Sequence, residues 1–176
     1  ILGLHIEQGQ VKSVRTDQGD LDCDAAIVCL GNEANSFLKP LKDRQNIYPL
    51  QGYSLTLPPG KNPPKTSITD PKNKMVFANL GGKIRIAGLA DVNLPRAKIE
   101  ARGRHLLETA TRLWPDAADY SAPPPLWTAS RPTTPSSLPI VRRSKTKGLF
   151  YNIGHGSLGL TLAAACAEQI AGLINV

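Results

Sequence analysis

Aromatic residues make up only 5% of the 176-residue chain, too few for the stacked platform on which single-stranded nucleic acid is held. Cysteine is scarce as well: Cys23, Cys29 and Cys166, with no C-x-x-C spacing. An odd, unpaired set fits a reducing compartment and buried thiols, and argues against a disulfide framework or a zinc site. No run of about 18 apolar residues exists, so nothing in the sequence reads as a membrane-spanning helix. The longest apolar stretches, Ala25–Leu30 and Leu158–Cys166, have the length of a buried strand or a short helix. The opening ILGLHIEQGQ carries no Met, no basic leader and no signal-peptide pattern. A start inside an alternating apolar pattern reads as a fragment of a longer chain.

Hydrophobic residues reach 41%, enough for a packed core. The net charge is +7, which favours anionic partners, but the basic residues are scattered. The densest patch, Arg142 to Lys147, lies between two strand-like runs and reads as a solvated hairpin turn before it reads as a polyanion site.

Along the chain, residues 1–30 read as a strand meander with turns at Gln8-Gly9 and Asp17–Asp20. Its last run, Ala25–Leu30, is apolar on both faces and is expected to be a central strand. A short helix or loop covers 31–46. Tyr48–Leu57 alternates, with Tyr53, Leu55 and Leu57 on one face and Ser54 and Thr56 on the other. Met75–Leu80 and Lys83–Ala90 form a hairpin over Gly81-Gly82. A helix is expected from an Asn93 cap to Trp114, closed by Pro115. Pro123–Pro125 reads as a linker, Leu126–Ser130 and Leu149–Ile153 as strands, and Gly159–Ile174 as a second helix. Together these give an antiparallel hairpin block between two α/β-like ends.

Gly154-His155-Gly156-Ser157-Leu158-Gly159 is a formal G-x-G-x-x-G that follows a strand and opens a helix. A dinucleotide unit needs a further strand with an acidic residue about 20 positions on, and the sequence stops at Val176. Two readings stay open on the residues alone. One is a helix start that serves an anionic or electron-rich group; the other is a tight structural turn.

The run NIGHGSLGLTLAAACAEQIAGLI resembles the C-terminal signature of the FAD-dependent D-amino acid oxidase and dehydrogenase superfamily, most like the C-terminal part of the D-amino acid dehydrogenases. Three further stretches match in order: Tyr48–Thr56, Lys83–Ala90, and Trp127–Pro135 followed by Leu138–Val141. Val28–Gly31 is similar to the family's strand end near the cofactor. The resemblance covers essentially the whole chain. It implies an α+β fold: an antiparallel substrate-domain sheet with a flanking helix, plus C-terminal pieces of an FAD-binding α/β domain whose N-terminal βαβ unit is missing. The implied division is 1–46 and 136–176 in the FAD domain and 47–135 in the substrate domain.

The implied reaction moves a hydride from the substrate's α-carbon to flavin N5, after which the imino acid hydrolyses to keto acid and ammonia. Arg131 matches the family's carboxylate-binding arginine, because a planar fork suits a carboxylate. Arg85 is a lesser substrate candidate. Family oxidases often place tyrosines over the substrate; Thr69–Met75 here has none, and Tyr53 is the nearest alternative. FAD contacts are expected from Gly31, Gly52, Gly154, His155, Gly156, Ser157, Leu158, Gly159 and Thr161, with His155 locking the turn rather than moving protons. No catalytic acid or base and no metal is expected. The implied partners are an amino acid or amine and an electron acceptor, quinone or oxygen, with no nucleic acid. The implied location is the cytoplasm, free or on the inner face of the membrane. Rival readings are a glycine- or sarcosine-type or tRNA-modifying amine oxidase, and a non-catalytic basic interaction domain.

Overall fold

Apolar spacing sets the elements. The computed structural model describes residues 1–92, 95–121 and 124–175. The chain divides into two compact units, Ile1–Pro49 with Arg131–Val176, and Leu50–Ser130. The architecture is mixed, with three sheets and three α-helices among the described residues.

In the first unit, β1 (Gly3–Glu7), β2 (Gln10–Thr16) and β3 (Gly19–Asp22) form an antiparallel meander. Gln8 and Gly9 turn the chain with φ of 48° and 76°, the twist that a two-residue hairpin loop requires. A second sheet has the order β10 (Ile140–Arg143), β11 (Leu149–Ile153), β4 (Ala26–Val28). β10 and β11 form the expected hairpin over the basic turn, and β11 pairs β4 in parallel. The expectation of a central strand at Ala25–Leu30 is corrected: among the described residues β4 lies at the sheet edge, and Ile27 is 42% exposed. Helix α1 (Ala34–Leu38) contributes Ala34 and Leu38 to a core with Val11, Val28, Leu149, Tyr151 and Ile153. Helix α3 (Gly159–Ile174) is strongly apolar, yet only Cys166 and Ile170 are buried, and Leu160 is 94% exposed. No helix is long and apolar enough to cross a membrane among the described residues.

A polar cluster locks this core's rim. Asp43 accepts from the hydroxyls of Tyr151 and Ser144, the latter at 2.8 Å, and from Gln45 Nε2 at 2.8 Å. Arg142 donates to Gln45 Oε1 at 2.8 Å and lies 5.2 Å from the Tyr151 ring centre. Burial would raise the Asp43 carboxyl, but the Tyr151 and Ser144 donors, the Arg142 charge and Gln45 together hold it below the ordinary carboxylate range. Burial first, and then the Asp43 charge, push Tyr151 up to about 12.

The second unit is built on a five-stranded sheet in the order β6 (Ile68–Asp70), β7 (Met75–Leu80), β8 (Lys83–Val92), β5 (Tyr48–Leu57), β9 (Leu126–Thr133), antiparallel from β6 through β5. The chain enters this unit within β5 and leaves it within β9. Gly81 and Gly82 close the β7–β8 hairpin at φ of 59° and 79°, as the Gly-Gly pair led one to expect. Helix α2 (Ile99–Leu113) follows a 3₁₀ turn at Arg96–Lys98, so it starts later than expected. The expected Asn93 cap and the Pro123 start of the linker lie outside the described residues. α2 places Leu106 and Ala110 in a core with Leu55, Leu57, Phe77, Ile84 and Ile86. Arg102 of α2 forks onto Asp91 of β8 through Nε and a terminal nitrogen at 2.8 and 3.0 Å.

Candidate functional site

The glycine-rich turn sits between two regular elements of the first unit. β11 ends at Ile153 because Gly154 takes φ of 79°, which a β-strand cannot continue. Gly156 follows with φ of 57°, and α3 begins at Gly159. The two glycines are needed for different reasons. A Cβ on Gly154 would stand 2.7 Å from Thr134 Cγ2, whereas one on Gly156 would meet only Thr133 Oγ1, at 3.6 Å.

The partner of this turn is the segment after Arg131. Gly156 N–H donates to the Pro132 carbonyl at 2.8 Å, and Thr133 forms an antiparallel bridge to His155. Thr133 and Thr134 are buried, and Thr134 Oγ1 donates to the Leu138 carbonyl at 2.7 Å. Gly31, at φ of 54°, would place a Cβ 3.6 Å from Pro132 Cγ. Thus Gly31, the Arg131–Thr134 segment and the turn, three separate stretches in sequence, meet in one place.

The donor set at the helix start is narrower than expected. Gly156 N–H is taken by Pro132, and Leu158 N–H by the His155 carbonyl at 3.0 Å. Among the described residues no acceptor is found for the N–H groups of Ser157 and Gly159, and no side chain caps α3. Those groups carry the partial positive charge of a helix N-terminus. Thr161 lies exposed in the first turn. Burial lowers the His155 pKa, so the imidazole is neutral near pH 7 and adds no positive charge.

Arg131 is half-exposed, and its guanidinium has no hydrogen bond or ion pair among the described residues. Tyr53, the residue that sequence suggests over a substrate, is 2% exposed and lies in the α2-facing core with Leu55 and Leu57. Its hydroxyl has no partner of hydrogen-bonding geometry, although Asp91 and Arg102 lie near enough to act on its titration. Burial, then Asp91, push it up to about 12. Gly52 is buried in β5 beside a bulge at Gly52/Tyr53, and its carbonyl accepts from Thr128 Oγ1 at 2.9 Å.

Arg85 is held in the second unit by two neighbours that sequence reading passed over. Its guanidinium lies 5.1 Å from the Trp127 ring centre and donates to Ser54 Oγ at 3.1 Å. Trp127 stood in a quoted motif without a role; its signal is the exposed aromatic two strands away from an arginine, visible only once β8, β5 and β9 are ordered. No group of three or more His, Cys, Asp or Glu able to hold a metal occurs among the described residues.

Comparison with known proteins fits this geometry. D-amino acid dehydrogenase 2 of Ralstonia nicotianae is 37% identical over 97% of this chain and 43% of its own length. A D-amino acid dehydrogenase of Rhizobium johnstonii is 35% identical over 99% of this chain and 42% of its own. The chain therefore spans less than half the length of the curated relatives it matches. Among solved structures, glycine oxidase from Geobacillus kaustophilus superposes with a TM-score of 0.79 at 20% identity, over 99% of this chain and 47% of that one. The FAD-bound L-alpha-glycerophosphate oxidase of Mycoplasma pneumoniae gives 0.80 at 14% identity, over 100% and 50%. These structural likenesses speak for the fold. The family model for FAD dependent oxidoreductases matches residues 1–173, and the chain belongs to that family.

Proposed function

We propose that this chain is the C-terminal part of an FAD-dependent enzyme that oxidatively deaminates D-amino acids. The observation that carries the reading is the Gly156 N–H to Pro132 carbonyl bond, which fixes the helix start directly beside the residue following Arg131. One unit thus brings the backbone next to Arg131 to a helix N-terminus with open donors.

The turn fits a flavin. An electron-rich ring edge matches the unbonded N–H groups of Ser157 and Gly159, and the Cβ position of Gly156 is open. When bound, FAD supplies the hydride acceptor. The chain's own work is to bind and orient. Gly154, Gly156, Ser157, Gly159 and Thr161 would hold the cofactor, and the positive helix end would favour negative charge there. Gly31 borders the same segment. His155, neutral and bridged to Thr133, keeps the turn's shape. Arg131 would grip the substrate carboxylate and so set the angle of the α-carbon. In this reading the first unit is the FAD-binding portion and the second the substrate domain, and electrons pass on to a quinone or to oxygen.

In the flavin-loaded full-length enzyme, Arg131→Ala should raise KM for amino acids by roughly tenfold to 150-fold, the worth of a charged hydrogen bond. Arg131→Lys should recover part of this, because an ammonium lacks the fork. An amine without a carboxylate is the control, and its turnover should hardly move. Equal losses on both substrates would make Arg131 a folding or flavin residue.

A further inference from the structure

We propose that the second unit carries a site for a small organic carboxylate, in which Arg85, resting on Trp127 and bonded to Ser54, supplies the fork. The site lies wholly in that unit and does not depend on the reaction proposed above.

Arg85 sits on β8, directly opposite Thr56 of β5 and Ala78 of β7. Its chain neighbours Ile84 and Ile86 are fully buried in the core that α2 covers, so Arg85 projects from the other face of the sheet. Three strands fix its guanidinium: β8 carries it, β5 offers the Ser54 hydroxyl at 3.1 Å, and β9 lays the Trp127 ring centre 5.1 Å away. Ser54 is itself only 2% exposed, so this contact is built into the sheet. Ala87, two residues along the strand, and Ala78 across from Arg85 are small, which keeps the floor beside the fork low.

Charge on this face is unbalanced, and the backbone keeps it so. The strands of the sheet carry two acids, Asp70 and Asp91. Asp70 accepts from the backbone N–H and the side-chain amide of Asn73 at 3.0 and 2.6 Å. Strict alternation would set Leu89 and Asp91 on the same face as Arg85. A bulge prevents this: Gly52 pairs with Ala90 and Tyr53 with Gly88, and Leu89 between them takes φ of 62°, a left-handed conformation that leucine enters only at a cost. One extra residue turns the following side chains over. Leu89 packs against the α2-facing core, and Asp91 is forked by Arg102 of α2. No carboxylate pairs with Arg85 among the described residues, and Ser54 and Trp127 are both neutral. A guanidinium has five N–H donors, and one finds an acceptor here. An indole supports the cation without using the in-plane donors, and this one is 54% exposed. A carboxylate, planar and two-pronged, is the group that completes such a fork.

Trp127 is the reporter. Titrating the 176-residue chain with sodium acetate, at an ionic strength held constant with sodium chloride, should give a saturable change in tryptophan fluorescence. Acetamide, the uncharged isostere, should give none. Trp127→Phe should remove the signal. Arg85→Gln should weaken the apparent affinity by about tenfold or more, the worth of a charged hydrogen bond. Arg85→Lys, which keeps the charge and lacks the fork, should fall between, with circular dichroism confirming that each variant is folded. The site is overturned by the lack of a saturable response in the unaltered chain, or by full acetate affinity in a folded Arg85→Gln. Chloride or inorganic phosphate binding as tightly as acetate would make it a general anion site and overturn carboxylate recognition. If Arg85→Gln failed to fold, Arg85→Lys would decide, since an affinity equal to that of the unaltered chain would overturn the fork.

Discussion

Gly154 and Gly156 look alike in sequence, and their replacement by alanine separates the two reasons for a glycine. At Gly156 the added methyl meets only Thr133 Oγ1, at 3.6 Å, an ordinary contact. The cost there is the left-handed backbone alone, about 1–2 kcal/mol. At Gly154 the same backbone cost applies, and the methyl would lie 2.7 Å from Thr134 Cγ2. Thr134 is buried and tied by its hydroxyl to the Leu138 carbonyl, so it does not yield cheaply. Overpacking of this sort adds roughly 1–3 kcal/mol. Gly154→Ala should therefore lower stability by about 2–5 kcal/mol, and Gly156→Ala by the smaller figure. With a urea slope of about 2 kcal/mol per molar, midpoints followed by far-UV circular dichroism should differ by about 0.5–1.5 M. Flavin content should rank the other way. In the full-length enzyme Gly156→Val should lose flavin out of proportion to its stability, because the open space at that position is where we propose the flavin lies. Equal midpoints for the two alanine variants, or full flavin content in Gly156→Val, would refute this division of roles.

Two predictions concern the polar cluster and the buried phenols. Tyr151→Phe removes a donor from Asp43 and should cost about 1–2 kcal/mol, less than a fully buried charged bond because Asp43 is partly exposed. The folded Asp43 pKa is depressed, so its contribution is present above the ordinary carboxylate value and is lost as pH falls through the folded one. The variant should thus unfold at a higher pH on acid titration, and an unchanged acid midpoint would sink the account. At the alkaline end, buried Tyr53 and Tyr151 are pushed up to about 12 from an ordinary 10.0. An acid with a raised folded pKa stabilises fully below the unfolded value, so stability should decline as pH rises from about 10 to about 12. Tyrosinate absorbance should then appear together with loss of circular dichroism, and tyrosinate appearing in a still-folded chain would contradict this.

Local chemistry was the legible part. Gly81-Gly82 announced its hairpin because a Gly-Gly pair takes two positive φ angles cheaply, and α3 ran over the residues its composition marked. Neighbour relations were not legible. Ala25–Leu30 is apolar on both faces, but periodicity reports what a strand wants to bury and not which strand lies beside it. Alternation grouped Tyr53 with Leu55 and Leu57, yet could not say that α2 would cover that face. The occupancy of Gly156 N–H depends on Pro132, and the hold on Arg85 depends on Ser54 and Trp127. Both relations arise only when distant strands pair. The Asp43 cluster was missed for the same reason, since its members come from the loop after α1 and from the β10–β11 hairpin.

The second unit begins and ends at adjacent places. Gln51, next to its first residue, bonds through its side chain to Thr128 and, at 2.7 Å, to Ser130, its last. A segment whose two ends are neighbours is a cassette. It can be lengthened, shortened or exchanged in evolution while the stretch before Leu50 and the stretch after Ser130 keep their places. The Gly154 turn, its Pro132 contact and the Asp43 cluster all lie outside that cassette. If residues 50–130 are the substrate domain proposed above, recognition of new substrates can diverge inside them, and they form the natural piece to transplant between members of the family.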